Sequence, residues 1–103
     1  MQDFQTTRST VHRITRSARY KKWRDRVVQR DLGACVLCGN PRGADADRLE
    51  PLHDYVQRKG LVTPEDIAEV RDELYDLAAG RTLCGRCRTK RARFRARARQ
   101  ADR

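Results

Sequence analysis

The chain has 103 residues, of which 38% are hydrophobic and 6% aromatic, so it can bury the apolar surface of one small domain. It holds no apolar run of membrane-spanning length and no hydrophobic N-terminal stretch like that of a secretory signal, so we expect no membrane partner and an intracellular location, in the cytoplasm or nucleoid. A domain with this little apolar surface usually needs a metal or a disulfide for stability.

The formal net charge of +10 is distributed in three blocks. Residues 1–33 hold nine Lys/Arg and three acids (+6), residues 34–80 hold five and ten (−5), and residues 81–103 hold ten and one (+9). Two basic ends around an acidic middle indicate that both ends face one polyanion. We therefore expect nucleic acid as the partner, with double-stranded DNA favoured over RNA.

Residues 1–15 are polar and have no sustained hydrophobic period, which predicts a flexible basic arm. A helix is predicted from Ser17, because Tyr20, Trp23 and Val27 recur at helical spacing. Gly33 suits a left-handed cap at the end of this helix.

The remaining elements are predicted from caps and composition. A tight turn is expected around the first cysteine pair, followed by a weak extended stretch ending near Leu49. Thr63 and Pro64 indicate the start of a helix over about 63–79, and an Ala- and Arg-rich run continues as a helix into the tail. The predicted organisation is a basic arm (1–15), a four-cysteine domain with a helical insertion (16–95) and a basic tail that continues the last helix (96–103).

Two Cys-x-x-Cys turns form a candidate metal site. Cys35 and Cys38 make the first turn, Cys84 and Cys87 make the second, and 45 residues separate the two. Such turns can bring four thiolates to about 2.3 Å from one ion in a tetrahedron. We predict one Zn²⁺ ion with a structural role, because four thiolates leave no open position at which zinc can activate water.

The alternative for these cysteines is a buried apolar pair or a redox dithiol. A structural zinc site contributes about 10–16 kcal/mol of binding free energy, against about 5–15 kcal/mol for the stability of a whole domain. If zinc is bound, the metal-free chain is therefore predicted to be largely unfolded.

The motifs of the chain follow one another in a recognisable order. They are Trp23, Arg-Val-Val-Gln-Arg-Asp at 26–31, the first cysteine turn with Gly39, Asp-Arg-Leu-Glu-Pro-Leu at 47–52, and Leu83 with the second cysteine turn and a basic helix. This order resembles the zinc-containing HNH endonuclease family over about residues 20–95. The resemblance implies a small α+β zinc-stabilised domain, a treble-clef or ββα-like zinc finger with flanking helices.

The resemblance also implies where catalytic residues would lie. In the family, a His after an acidic residue in the first strand is the general base, an Asn precedes the second cysteine turn, and a His after the last cysteine helps to hold a divalent ion. The matching positions here are Arg48, Ala79 and Arg88. Arginine stays protonated and cannot ligate a cation, and alanine has no polar side-chain atom. The implied protein is a scaffold without the hydrolytic residues, and the prediction leans against an enzyme.

Two other functions remain open. An active HNH endonuclease would use His53 as the base, with Asp54 and Glu50 as possible metal ligands. A small adaptor or inhibitor subunit of a nucleoprotein assembly would bind a protein through the acidic helix at about 64–77. Without such a role, His53 is an exposed loop histidine.

The preferred function is a zinc-dependent, non-catalytic nucleic-acid-binding protein. Cations on nearly every side of the last helix fit a groove with phosphate walls, although a solvated tail is the alternative. Phe94 either anchors this helix or stacks on a base. The predicted nucleic-acid contacts are Arg19, Lys21, Lys22, Arg24, Arg48, Arg86, Arg88, Lys90, Arg91, Arg93, Arg95, Arg97 and Arg99.

Overall fold

The computed structural model describes residues 3–101, including every side chain in that range except those of residues 96 and 98–101. This part of the chain is a small α+β domain with six α-helices and a two-stranded antiparallel sheet. The elements are α1 (Phe4–Thr15), α2 (Ala18–Arg30), β1 (Asp45–Arg48), α3 (Leu52–Lys59), α4 (Pro64–Glu69), α5 (Arg71–Leu74), a 3-10 helix (Leu77–Ala79), β2 (Gly80–Leu83) and α6 (Gly85–Ala101). None of the helices between residues 3 and 101 offers the long apolar stretch that crossing a membrane requires.

The N-terminal segment is a packed helix, so the predicted flexible arm is wrong for residues 4–15. Asp3 caps α1 by accepting a hydrogen bond from a backbone N–H at 2.8 Å. Thr7, Thr10 and Ile14 form its buried face. No hydrophobic period is evident in the sequence because two of these three buried residues are threonines. A threonine can be buried when its hydroxyl is hydrogen-bonded, and Thr10 Oγ1 donates to Leu61 O at 3.1 Å. Residues 1 and 2 of the predicted arm lie outside the described range.

The second helix begins where the sequence predicts. Ser17 is its N-cap and accepts a hydrogen bond from the Tyr20 N–H at 3.1 Å. Trp23 and Val27 are buried between α2 and the sheet. The chain reverses at Gly33, whose φ of 71° lies in the left-handed region that glycine adopts without strain.

The insertion between the two strands is helical, but it is not the single helix predicted over residues 63–79. Thr63 caps the start of α4 in a capping box, as the sequence indicates. The helical geometry breaks at Val70, and α5 and the 3-10 helix follow. Because the chain bends here, Ile67 and Val70 pack beside the buried Leu74 against one core cluster. The regular apolar spacing in the sequence does not require such a bend.

A further helix, α3, was not predicted. Leu52, Tyr55 and Val56 are buried at helical spacing, and Gly60 ends the helix with a φ of 65°. Together with α1 and the insertion, α3 builds the larger of two core clusters. The buried members of this cluster are Ile14, Leu52, Tyr55, Val56, Leu61 and Leu74.

The sheet connects this helical core to the cysteines. β1 pairs antiparallel with β2, with Arg48 opposite Gly80. A Cβ atom at Gly80 would lie 2.5 Å from the Trp23 ring, so glycine is needed for α2 to pack this close to the strand. Leu83, at the other end of β2, is buried in a second cluster with Cys35 and Cys84.

Asp31 joins the end of α2 to β2. Its Oδ2 accepts the Thr82 N–H at 2.9 Å, and Arg30 donates to both carboxylate oxygens at 3.0 Å. The hydrogen bond from Arg30 lowers the pKa of Asp31, which keeps the acceptor ionised at neutral pH. The strand that precedes the second cysteine turn is thus held against α2.

Candidate metal centre and nucleic-acid interface

The two cysteine turns meet at one point of the fold. The Sγ atoms of Cys35, Cys38, Cys84 and Cys87 all lie within 4.8 Å of one another, and all four cysteines are free. The Cys38 and Cys84 sulfurs are 3.6 Å apart. A tetrahedral ion with sulfur ligands at about 2.3 Å places its sulfurs about 3.8 Å from one another, so this spacing suits a single ion.

Backbone geometry holds the first turn in place. Gly39 has a φ of 76°, and its N–H donates to Cys35 O at 2.8 Å, closing the turn. The Val36 N–H donates to Thr82 O at 3.0 Å, so the turn is also bonded to β2. The second pair is placed by α6, since the helix begins at Gly85, between the two cysteines.

Backbone N–H groups point at the sulfurs and favour their ionised forms. The Cys84 N–H, directed at Cys35 Sγ, lowers the pKa of the Cys35 thiol to about 6. The Cys87 N–H likewise lowers the pKa of Cys84. Hydrogen bonds with Cys84 and Cys35 raise the pKa of Cys87 to about 12, because a further negative charge beside these sulfurs is unfavourable. A divalent cation would remove this repulsion.

The donor set therefore fits a metal ion. Four convergent thiols are the ligands of structural zinc sites, and the turns supply the N–H···S bonds that such sites need as a second layer. The geometry is compatible with the zinc ion that the sequence predicts. In residues 3–101 these cysteines are the only group of three or more His, Cys, Asp or Glu side chains whose ligand atoms converge in this way.

Three arginines of α6 face β1 rather than a groove. Arg88, Arg91 and Arg95, here called the inner arginines, lie about one turn apart on one side of the helix. Their contacts are Arg88 Nη2 to Gly43 O at 3.1 Å, Arg91 Nη2 to Asp47 Oδ1 at 2.8 Å, and Arg95 Nη2 to Leu49 O at 2.7 Å. The inner arginines hold α6 across the strand, which differs from the prediction that they line a phosphate groove.

The opposite side of α6 presents free cations. Arg86, Lys90, Arg93 and Arg97 are exposed, and none has a hydrogen bond or ion pair within the described chain. At about 100° per residue they point roughly away from the inner arginines, and we call them the outer face. Phe94 is 75% exposed and therefore does not anchor the helix. The predicted contact Arg99 has its side chain outside the described set.

Arg48 is buried, so the predicted nucleic-acid contact at this residue is wrong. Only 7% of Arg48 is exposed, and its guanidinium carbon lies 4.9 Å from the Trp23 ring centre and 5.7 Å from that of Tyr55. Its Nη1 donates to Leu74 O at 2.8 Å. Burial lowers the pKa of Arg48, but a guanidinium remains charged at neutral pH. The side chain links β1 to the helices around it.

The basic residues of α2 lie on more than one side of that helix. Arg24 pairs with Asp45 of β1 at 3.1 Å, close to the start of α6. Arg19, Lys21 and Lys22 are exposed and have no polar partner in the range that the structure covers. Of these α2 cations, only Arg24 therefore shares the β1–α6 side of the molecule.

His53 belongs to the helical layer. It lies at the start of α3, and its ring centre is 5.6 Å from that of Phe4 in α1. Glu50, one of the ligands considered for a catalytic ion, accepts two hydrogen bonds from Arg58, the shorter at 2.8 Å. His53, Asp54 and Glu50 thus do not form a convergent metal-binding group in the described structure.

The acidic segment considered as a protein-binding surface is partly used within the fold. Asp66 completes the cap of α4, Asp76 caps the 3-10 helix, and Glu73 pairs with Lys59 at 3.2 Å. The remaining acids of the predicted surface are exposed; they are Glu65, Glu69 and Asp72.

Comparison with protein-family models, curated proteins and solved structures gives no match for this chain. The function of the site therefore follows from its own residues.

Sequence reasoning missed Asp45 and Asp47 as the acids that form ion pairs with arginines. The sequence did contain a signal for these contacts. The two aspartates alternate in a strand and so share one of its faces, and arginines recur at three- and four-residue spacing in the last helix.

Proposed function

We propose that this protein binds nucleic acid through the outer face of α6, and that one zinc ion at the four cysteines holds this helix in place. The observation that carries the proposal is the division of α6 into two sides. One side is fixed to β1 by the inner arginines, and the other exposes four cations that have no partner among the described residues. A rigid helix with free cations on one side is suited to phosphate contacts.

Duplex DNA is the proposed form of the ligand. α6 has 17 residues, which at about 1.5 Å per residue gives a rod about 26 Å long. The major groove of B-DNA, about 12 Å wide, admits such a helix. The deep and narrow major groove of A-form RNA does not.

We further propose that the scaffold is a treble clef of the HNH-like type. In support, a cysteine turn is followed by β1, β2 and a helix that begins between the last two cysteines. The positions that the family resemblance assigns to catalysis have other uses here. Arg48 is buried, Ala79 ends the 3-10 helix, and Arg88 is bonded to a backbone carbonyl. These features favour binding without hydrolysis.

No cleavage of supercoiled plasmid is expected with Mg²⁺ or Mn²⁺. A buried arginine cannot take a proton from water, and the described chain offers no convergent carboxylate or histidine site for a catalytic ion. Gel analysis of plasmid incubated with the protein and with a His53→Ala variant checks this. Nicking by the unchanged protein that the variant lacks would establish the nuclease alternative instead.

Charge reversal on the outer face should weaken DNA binding. A Lys90→Glu/Arg93→Glu variant removes two phosphate contacts, so we expect at least about a tenfold loss of affinity for a 20-base-pair duplex and a salt slope smaller by about two. With about four contacts, the unchanged protein should lose about a hundredfold in affinity between roughly 50 and 200 mM salt. Fluorescence anisotropy of labelled duplex measures both quantities.

The matched control is an Arg8→Glu/Arg13→Glu variant on α1. These two arginines are also exposed and unpaired in the described structure, and the exchange lowers the formal charge of +10 by the same four units. Its affinity should stay within about threefold of the unchanged protein. If both variants lose affinity equally, binding depends on net charge alone and the assignment to α6 fails.

A further inference from the structure

A second cationic site lies on the side of α2 away from β1 and α6. It is an open cavity of about 330 Å³ between α2 and the segment of α5 and the 3-10 helix. This volume is at the lower end of those that hold small ligands. The lining residues are Arg19, Lys22, Trp23, Arg26, Arg71, Asp72, Tyr75 and Leu77.

The cavity carries an excess of unpaired positive charge. Arg19, Lys22 and Arg26 are exposed and have no hydrogen bond or ion pair among the residues described. Within the part of the chain that the structure covers, the Arg71 side chain has one charged contact, at 3.9 Å to its neighbour Asp72, whose side chain is fully exposed to solvent. Four cations therefore surround the opening against one solvated carboxylate.

The walls of the cavity are rigid and partly apolar. Trp23 is 3% exposed, and its Nε1 donates to Asp76 O at 2.9 Å, which ties α2 to the insertion. Tyr75 is half-buried and packs against the larger core, and Leu77 is 37% exposed beside it. Such walls accept a flat, weakly polar group next to the cations.

This site is distinct from the outer face of α6. Along α2, Arg19, Lys22 and Arg26 recur at three- and four-residue spacing and share one side. Arg24, which pairs with β1, points about 165° away from the centre of that side at about 100° per residue. A ligand bound to α6 therefore does not fill this cavity.

We propose that the cavity binds the phosphate groups of a nucleotide, with the cations on the phosphates and the Tyr75–Leu77 wall beside the base. Arginine binds phosphate oxygens in a bidentate manner, and four cations can neutralise a di- or triphosphate. The nucleotide is either free in solution or a unit of a single strand. The proposal does not depend on DNA binding by α6.

Trp23 provides a direct assay because it is the only tryptophan of the chain and lies in the cavity wall. We expect ATP, or a 12-nucleotide single strand, to change its fluorescence in a saturable manner. An Arg26→Glu/Arg71→Glu variant should weaken that binding by about tenfold or more, since it reverses two of the four cations. A response to ATP identifies a free nucleotide as the ligand, whereas a response to the strand alone identifies a strand unit.

The Arg8→Glu/Arg13→Glu variant is again the control of equal charge, and should bind within about threefold of the unchanged protein. Lys90→Glu/Arg93→Glu should keep its response to ATP or to the strand, which separates this site from the α6 proposal. Unchanged circular dichroism and metal content show that each variant is folded. The proposal is overturned if neither ligand affects Trp23, or if the Arg26→Glu/Arg71→Glu variant binds as well as the control.

Discussion

Removal of the proposed zinc ion is expected to leave most of the domain unfolded at 25 °C. A structural zinc site supplies about 10–16 kcal/mol, which is comparable to or above the stability of a whole small domain. Among residues 3–101, the other buried apolar side chain of the second core cluster around the cysteines is Leu83. Without the ion, the two turns and the start of α6 lose the group that joins them, and the side-chain contacts described above for α6 are arginine bonds to two backbone carbonyls and to Asp47.

Elemental analysis should find one zinc ion per chain, and a strong chelator should abolish the cooperative thermal transition seen by circular dichroism. Cys84→Ser should have the same effect, because a hydroxyl does not replace a thiolate ligand. Val36→Ser changes an exposed residue inside the first turn and should leave the free energy of unfolding within about 0.5 kcal/mol of that of the unchanged protein. A chelated protein that melts within a few degrees of the metal-bound form would contradict a structural role for the ion.

Replacement of Arg48 by alanine should lower the free energy of unfolding by about 3 kcal/mol. The change leaves a cavity between Trp23 and Tyr55, removes two ring–cation contacts and takes the hydrogen bond from Leu74 O. For a domain of this size the midpoint of thermal unfolding should fall by about 10 °C or more. Urea or thermal unfolding of the zinc-loaded protein measures the loss.

Arg42→Ala is the matched control for Arg48→Ala. Arg42 is exposed in the loop before β1, so its truncation should change the free energy of unfolding by less than about 0.5 kcal/mol. Full stability of Arg48→Ala, together with a loss of DNA affinity, would mean that Arg48 contacts phosphate after all. Reduced stability with unchanged affinity of the folded fraction is the expected pattern.

The cluster of four cysteines could be predicted from the sequence because its signal is local. Two cysteines three residues apart already define a turn that presents both sulfurs to one point, and the structure brings the two turns together. The start of α2 at Ser17 and of α4 at Thr63 were likewise predictable from caps, which involve only neighbouring residues. The helical tail followed from Ala and Arg composition.

The roles of the arginines could not be read in the same way, because they depend on partners distant in sequence. The three arginines 48, 91 and 93 have the same charge but different surroundings. Arg48 lies between aromatic rings, Arg91 pairs with Asp47, and Arg93 has no partner in the described structure. Neighbouring residues of a strand point to opposite faces. Asp47 of β1 therefore faces α6, where it pairs with Arg91, and Arg48 faces the helices that carry Trp23 and Tyr55. Charge counting assigns all of them to a ligand and therefore overstates the number of cations that are free to bind one.

The two strands of the sheet are separated by 31 residues, from Leu49 to Ala79, that form α3, α4, α5 and the 3-10 helix. A hairpin closed by a two-residue turn pairs in microseconds, whereas this pair must first close a long loop at an entropic cost. Compaction of the inserted helices shortens the effective loop. We therefore expect the order of assembly to run from the insertion to strand pairing, with folding slower than the small size and helical content of the chain imply.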